Sequence, residues 1–217
     1  MNIHVAGDYG FGYANWIQDA FKESVIKRDI ESADLVLFTG GSDINPEIYG
    51  ENKSHTTWCN DMRDRVECAV FEKAVQLGIP MIGICRGLQL MCGLCGGKVI
   101  QDVTNHAGCS HSITFIDGME CMTTSLHHQM VYPFLLPKEN YRIEAWSTER
   151  RSTRYINGDD RQYDVIPEVE PEVVLFFKDK QGRKLKALGV QGHPEMMKFG
   201  VFHERLVELI KTNLLNK

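Results

Sequence analysis

The sequence lacks any apolar run long enough to cross a membrane. Its strongly apolar stretches, such as Leu35 to Phe38 and Val173 to Phe177, are the size of strands, whereas a membrane-spanning helix needs about 20 such residues. It also lacks an excess of positive charge, because 24 Lys and Arg residues stand against 29 Asp and Glu, a net charge of −5. This balance argues against a nucleic-acid surface. We therefore expect neither a membrane nor a nucleic acid among the partners of this chain.

The sequence also lacks a paired set of cysteines. It has seven, an odd number in a chain of 217 residues, which is large enough to fold without disulfide staples. Residues 1–8 show neither the basic segment nor the apolar run of a signal peptide. We therefore expect free thiols in a reducing, cytoplasmic compartment. With 43% hydrophobic residues and no internal repeat, residues 1–217 are predicted to form one domain.

Strands and helices alternate along the first half of the sequence. Short apolar strands are predicted over 2–6, 35–38 and 81–84, and helical patterns over 64–77 and 87–95. Parallel strands joined by crossover helices produce this order. The predicted fold is therefore an α/β doubly wound, mostly parallel central sheet flanked by helices, closed by an amphipathic helix over 201–215.

The second half has a different pattern. Residues 110–188 are strand-like and hairpin-like, with few clear helices. Within them, residues 149–171 are polar and rich in both charges. This segment is interpreted as an exposed excursion, either a lid, a partner surface or a plain solvated loop.

A glycine-flanked cysteine stands at a predicted strand-to-helix junction, in Gly83-Ile84-Cys85-Arg86-Gly87. Such a turn presents a nucleophile on a sharp bend, and the small residues allow neighbouring backbone to approach closely. The helix N-terminus favours the thiolate, and the backbone N–H of Arg86 points to where an oxyanion would form. The competing interpretation of Cys85 is a buried core thiol.

A base and an orienting carboxylate for that thiol stand in Gln191-Gly192-His193-Pro194-Glu195. In an extended segment, His193 and Glu195 project to one side, so Glu195 would hold one imidazole nitrogen while the other faces the thiol. The alternative is an ordinary His–Glu surface pair.

Together these motifs resemble the class I glutamine amidotransferase superfamily, and within it the branch of γ-glutamyl hydrolases that includes γ-glutamyl-γ-aminobutyrate hydrolases. The resemblance covers residues 39–129 and 188–197. Besides the two motifs above it rests on Thr39–Pro46 with Tyr49-Gly50, on Asp61, Arg63-Asp64 and Glu67, on Gly96-Gly97, Gln101-Asp102 and His106, and on Ser125-Leu126-His127-His128-Gln129.

The resemblance implies a role for each matching residue. Cys85 attacks a γ-glutamyl carbonyl and forms a thioester, His193 transfers protons, and Glu195 orients it. Gly41 and Arg86 supply the backbone N–H groups of the oxyanion hole. A further set is implied to bind a small-molecule γ-glutamyl substrate: Gln89, Ser125 and His127.

No cofactor and no metal are expected. Cys92 and Cys95, followed by His106, Cys109 and His111, suggest zinc, but core packing of a helix explains the two cysteines more simply. The chain departs from the family at its short N-terminal part, where the sheet is expected to have an abbreviated edge or a helix reduced to a turn.

Three functions remain open on sequence alone. The first is a stand-alone hydrolase of γ-glutamyl amides. The second is a glutaminase subunit that delivers ammonia to a separate synthetase, with residues 149–171 as a docking surface; the partner would be that synthetase or a second copy of the chain. The third is a catalytically silent binding domain on the same fold.

Overall fold

The computed structural model describes residues 1–7, 10, 12–163, 166–197 and 200–216. The four α-helices of this part are α1 (Tyr13–Ala20), α2 (Asp61–Leu77), α3 (Arg86–Leu94) and α4 (Val201–Ile210). Its strands are β1 (Asn2–Ala6), β2 (Val25–Lys27), β3 (Leu35–Phe38), β4 (Met81–Ile84), β5 (Lys98–Ile100), β6 (Asp102–Val103), β7 (Cys109–Phe115), β8 (Glu120–Ser125), β9 (Met130–Tyr132), β10 (Tyr141–Ser147), β11 (Tyr155–Ile156), β12 (Pro171–Lys178) and β13 (Lys184–Val190).

A nine-stranded mixed sheet forms the centre of the fold, in the order β2-β1-β3-β4-β13-β12-β10-β7-β8. The first five strands in this order are parallel to one another. The doubly wound, mostly parallel architecture predicted for this half is therefore confirmed. Because β4 and β13 are parallel neighbours, Ile84 lies opposite Val190, and the two chain segments leave the same edge of the sheet.

The remaining strands extend this sheet as antiparallel neighbours, from β13 through β12, β10 and β7 to β8. This matches the hairpin-rich pattern predicted for residues 110–188. Two small sheets, β6 with β11 and β5 with β9, lie outside the main one.

Helices cover both faces of the parallel half, because the buried strands direct alternate side chains to opposite sides. Val36 and Phe38 of β3 pack in the cluster that includes Phe71 of α2. Leu35 and Leu37 pack in the other cluster, with residues of α1 and α4. The final helix is shorter than predicted, since α4 ends at Ile210 and one π-helical turn, Lys211–Leu215, follows. In the described part of the chain, no helix combines the length and apolar character needed to span a bilayer.

The short N-terminal part forms the abbreviated edge that the sequence predicts. The edge strand β2 has three residues, and a single 3-10 turn, Ile30–Ser32, leads from it to β3.

Residues 149–171 are only in part the exposed excursion that was expected. Arg150, Arg154 and Arg161 are exposed, but other residues of the segment are buried. Tyr155 is 2% exposed, and its hydroxyl donates to Glu170 at 3.0 Å. The backbone N–H groups of Arg151 and Ser152 donate to the same carboxylate. Ser152 Oγ also donates to the Thr104 carbonyl at 3.2 Å, and Ser54 Oγ donates to Asp160 at 2.6 Å, so polar groups anchor the segment to the rest of the domain. Composition does not distinguish such a segment from a solvated one. Residues 164 and 165 lie outside the described residues.

Candidate active site

Cys85 stands at the turn between β4 and α3, in a strained backbone conformation with φ 50° and ψ −102°. Its N–H donates to the carbonyl of Val190 at 2.7 Å, which fixes the turn to the end of β13. The flanking glycines allow this geometry, because a Cβ at Gly83 would lie 2.5 Å from the backbone of Gly87 and one at Gly87 would overlap the backbone of Phe38. The sharp bend predicted from the glycine pattern is present.

His193 lies beside the thiol, three residues beyond the end of β13. Its Nδ1 is 2.6 Å from Glu195 Oε1, and the side chains are 7% and 0% exposed. Burial by itself lowers the pKa of His193, but hydrogen bonds to the Cys85 thiol and the Glu195 carboxylate outweigh it and raise the pKa to about 10. A charged imidazolium held between sulfur and carboxylate follows from this arrangement.

The backbone around His193 differs from the prediction. Pro194–Met196 form a 3-10 turn, not an extended segment. The two side chains meet because the turn brings Glu195 back under the ring. Thr124 of β8 holds the turn, since the His193 N–H donates to its hydroxyl at 2.8 Å. The position of His193 therefore depends on the antiparallel half of the sheet.

The loop after β3 passes close to His193, since a Cβ at Gly40 would lie 3.0 Å from His193 Cε1. Gly41 has φ 142°, and a Cβ there would overlap the Arg63 guanidinium. Arg63 Nη2 donates to the carbonyl of Gly40 at 2.9 Å. Because the peptide group is planar and trans, the N–H of Gly41 then points away from Arg63. Glycine at position 41 is thus required both by its φ and by the arginine packed against it.

Arg86 has a buried role that sequence reasoning missed. Its side chain is 1% exposed and forms ion pairs with Asp64 and Glu67 of α2. Glu67 also accepts from Arg63 Nε at 2.7 Å, and Asp64 accepts from the backbone N–H of Asn45 at 2.9 Å. Two arginines and two carboxylates therefore balance in charge and connect the start of α3 with the loop that carries Gly41.

Tyr13 of α1 is a second residue that sequence reasoning missed. It is 3% exposed, and a Cβ at Gly40 would lie 2.5 Å from its hydroxyl and 3.0 Å from His193 Cε1. Burial raises the pKa of Tyr13, and the negative charges of Glu195 and Cys85 raise it further. Nothing local in the sequence marks this residue, because its contact with Glu195 is made only when α1 packs against the turn after β13.

The three residues expected to bind substrate are all buried. Gln89 of α3 donates to the carbonyl of Gln129 at 3.3 Å. Ser125 Oγ donates to the carbonyl of His106 at 2.5 Å and lies 3.2 Å from His127 Nε2. His127 Nδ1 is 2.8 Å from the Gln129 carbonyl, and burial holds its pKa well below the usual value.

His127 and His128 point in different directions. His128 is partly exposed, with Nε2 3.2 Å from Asp43 and Nδ1 3.5 Å from Asp102. The hydrogen bond to Asp43 raises the pKa of His128. His128 is thus a polar residue of the surface near residue 43, whereas His127 belongs to the interior.

The remaining thiols lie apart from this centre. Cys92 and Cys95 are buried in the hydrophobic cluster under α3. Burial raises the pKa of Cys92 to about 12 and that of Cys121 to about 11, and it also raises the pKa of Cys68. These three thiols hold their protons more firmly than an exposed cysteine does.

Comparison with known proteins gives a consistent set of relatives. Residues 9–150 match the sequence profile of the family described as Peptidase C26. The glutamine amidotransferase-like protein YvdE of Lactococcus lactis subsp. lactis is 28% identical over 183 residues, which are 80% of this chain and 71% of that protein.

A longer relative and a solved structure are also similar to this chain. A glutamine-hydrolysing GMP synthase of Caldicellulosiruptor saccharolyticus is 25% identical over 201 residues, 93% of this chain and 30% of that protein. The crystal structure of a glutamine amidotransferase from Thermotoga maritima superposes with a TM-score of 0.58 at 15% identity, covering 97% of this chain and 82% of the other. At that identity the superposition shows a shared fold.

Proposed function

The chain belongs to the Peptidase C26 family, and from this premise we propose that it is a cysteine-dependent hydrolase of a γ-glutamyl amide bond. The observation that carries the proposal is the contact of three groups: a thiol on a strained turn, an imidazole in hydrogen-bond contact with it, and a carboxylate 2.6 Å from the imidazole. Nucleophile, base and orienting group in this order are what acyl transfer to a thiol needs.

The first half-reaction begins with Cys85 as the thiolate. Its sulfur attacks the γ-carbonyl carbon, and the carbonyl electrons move onto oxygen. The tetrahedral intermediate collapses when His193 donates its proton to the leaving nitrogen, so ammonia or an amine departs and a γ-glutamyl thioester remains. Because the pKa of His193 is about 10, the ring carries that proton at neutral pH.

The second half-reaction is hydrolysis of the thioester. The ring, now neutral, takes a proton from water as the water oxygen attacks the thioester carbon, and the sulfur departs as the thiolate when the tetrahedral intermediate collapses. Glutamate is released and the thiolate–imidazolium pair is restored. Glu195 keeps the same ring nitrogen protonated throughout, which leaves the other nitrogen free for proton transfer.

We assign the oxyanion hole to the backbone N–H groups of Gly41 and Arg86. Arg63 supports this assignment for Gly41, because it binds the preceding carbonyl and so turns the N–H away from itself. For Arg86, the ion pairs of its side chain with Asp64 and Glu67 hold the first residue of α3, and with it the N–H, in place. Loss of one such donor typically lowers the rate about 10²–10³-fold.

For substrate binding, Gln89 is the residue we place closest to the glutamyl group, one helical turn after Cys85. Ser125 and His127 are buried in hydrogen bonds with neighbouring protein groups. We therefore propose that they support the pocket wall from behind. The γ-glutamyl hydrolase branch, which includes the γ-glutamyl-γ-aminobutyrate hydrolases, remains our proposed placement within the family.

The alternative function is a glutaminase that delivers ammonia to a synthetase. It is favoured by the match to 30% of a glutamine-hydrolysing GMP synthase, a protein with further sequence beyond the matched part. In that case the amine product is ammonia, and turnover depends on the partner.

Release of glutamate from glutamine and from a panel of γ-glutamyl amines tests the proposal. Rapid cleavage of one amine, with negligible glutaminase activity, supports the stand-alone hydrolase. Glutaminase activity that appears only with a synthetase supports the alternative. Cys85→Ala is expected to abolish both, whereas Cys95→Ala, which changes a buried thiol outside the site, is the matched control.

Covalent trapping tests the site without knowledge of the amine. A diazo-ketone analogue of glutamine is expected to alkylate Cys85 alone among the seven cysteines, because this thiol has a base beside it. Peptide mapping identifies the labelled residue. Label spread over several cysteines, or protection by free amines but not by glutamine or glutamate, contradicts a γ-glutamyl site.

A further inference from the structure

A buried group of metal-ligating side chains lies in the antiparallel half of the sheet, outside the proposed triad. His106 precedes β7, His111 lies on β7, and Glu172 lies on β12; they are 0%, 4% and 1% exposed. One ligand atom from each lies within 4.8 Å of the other two. Among the described residues, these form the one group of three His, Cys, Asp or Glu side chains that meets this spacing.

The separations of the ligand atoms are close to those around a tetrahedral cation. His111 Nε2 is 2.8 Å from Glu172 Oε1, and His106 Nδ1 is 3.9 Å from the same oxygen. Zinc bonds of about 2.0–2.1 Å place two tetrahedral ligands roughly 3.4 Å apart. The observed distances lie on either side of this value, so small side-chain rotations suffice to reach it.

One oxygen of the buried Glu172 carboxylate lacks a hydrogen-bond partner in the described part of the chain. Its Oε2 has no hydrogen-bond donor among the described residues. The ion pairs found for it in the same part of the chain are with the two histidines, and no Lys or Arg takes part. A buried carboxylate without charge compensation is strongly destabilising, and a cation removes that cost.

His106 is oriented as metal-bound histidines are. While its Nδ1 faces Glu172, its Nε2 is 3.3 Å from Glu170 Oε2. Glu170 is itself held by the backbone N–H groups of Arg151 and Ser152 and by the Tyr155 hydroxyl. A ligating histidine usually donates its other N–H to such a carboxylate, which fixes the ring and its tautomer.

We propose that His106 Nδ1, His111 Nε2 and the Glu172 carboxylate bind a divalent cation of the zinc type. Two imidazoles and a carboxylate suit zinc among the common cations. This reverses the expectation of no metal, which considered the histidines only together with Cys92 and Cys95. Those cysteines pack in the cluster under α3.

The site is structural and supports the base of the proposed reaction. The Glu172 carbonyl accepts from the N–H of Gln191 at 2.8 Å, two residues before His193. Ser125, 3.2 Å from His106 Nδ1, directly follows Thr124, whose hydroxyl binds the backbone of His193. A cation here therefore ties β12, which holds Gln191, to β7, the strand paired with the β8 strand that carries Thr124.

Metal binding by tag-free protein tests the proposal. Because the ligands are buried, the protein is unfolded with a chelator and refolded with or without Zn²⁺ or Co²⁺. We expect one bound ion per chain, a higher Tm with Zn²⁺, and Co²⁺ absorption without thiolate charge-transfer bands. Glu172→Gln and His111→Gln are expected to weaken binding more than tenfold. His55→Gln, at a side chain 77% exposed, is the control expected to bind normally.

X-ray absorption on the unmodified zinc-loaded protein guards against variants that fail to fold. We expect nitrogen and oxygen ligands at about 2.0–2.1 Å and no sulfur. Absence of stoichiometric binding, undiminished binding by folded Glu172→Gln, or a sulfur ligand overturns the site. This outcome is separate from the proposed hydrolysis, which is measured on Cys85.

Discussion

Replacement of Glu195 by Gln removes the charge that faces His193 while it keeps the size of the side chain. In the native protein Glu195 Oε1 lies 2.6 Å from His193 Nδ1, and the Glu195 side chain is fully buried. Its hydrogen bond and charge contribute to the rise of the His193 pKa to about 10, against the opposing effect of burial. The substitution removes the contribution of the carboxylate charge and leaves the opposing effect of burial in place.

The size of the effect follows from the type of bond. A hydrogen bond to a charged group contributes about 1.5–3 kcal/mol. At about 1.4 kcal/mol for each factor of ten, we expect kcat/KM to fall about 10- to 150-fold at neutral pH. The imidazolium then loses its proton at lower pH, so the alkaline limb of the profile, which reports the acid that protonates the leaving group, moves downward from about pH 10.

The assay is kcat/KM for glutamine or for the best γ-glutamyl amine, measured from about pH 6 to about pH 10. A ¹⁵N NMR titration of the histidine rings, with His193→Asn for assignment, follows the same proton without any substrate. Glu204→Gln, which changes an exposed glutamate of α4, is the matched control. An alkaline limb that stays in place or moves upward, or a His193 pKa that does not fall, refutes this account of the pair.

Three other substitutions test the structure around the site. Cys85→Gly and Cys85→Ala are both expected to lack turnover. Because glycine tolerates the φ of 50° at this position, the Gly variant should be more stable than the Ala variant by about 1–2 kcal/mol in urea unfolding. Equal stability of the two variants would contradict backbone strain at Cys85. Tyr13→Phe removes a buried hydroxyl beside Glu195 and should lower kcat/KM about tenfold with little change in Tm; unchanged turnover would show that the hydroxyl has no part in positioning the carboxylate. Arg86→Met leaves Asp64 without its arginine partner and should lower the free energy of unfolding by about 3–5 kcal/mol. A loss below about 1 kcal/mol would show that the buried ion pairs contribute little to stability.

Local pattern was sufficient to predict the parallel half of the fold. Three of its strands, over 2–6, 35–38 and 81–84, were predicted from short apolar runs or alternations bounded by Gly or Pro. The glycines around Cys85 predicted the bend that the structure contains. These features depend on neighbours in sequence. The pairing of His193 with Glu195 was also predicted, but from an extended segment that is in fact a 3-10 turn.

Contacts between distant segments were beyond sequence reasoning. Tyr13 and Glu195 are 182 positions apart in the sequence. Arg86 and Glu67 meet because α3 packs against α2, which the hydrophobic periodicity of the two helices does not predict. The buried part of residues 149–171 was missed for the same reason, because charged side chains that bind buried backbone and those that face water have the same composition.

The placement of β13 between β4 and β12 has a consequence for synthesis on the ribosome. Of the nine strands in the sheet, β13 is made last, although it lies at the centre. Until it emerges, β4 and β12 each have an unpaired edge that invites association with other chains. The 108 positions from Cys85 to His193 (193 − 85) take roughly 5–20 s to translate, during which the thiol has no base. Insertion of one strand then completes the sheet and brings His193, the proposed base, to Cys85. We therefore expect a nascent chain stalled before residue 184 to be prone to aggregate and to lack the proposed activity.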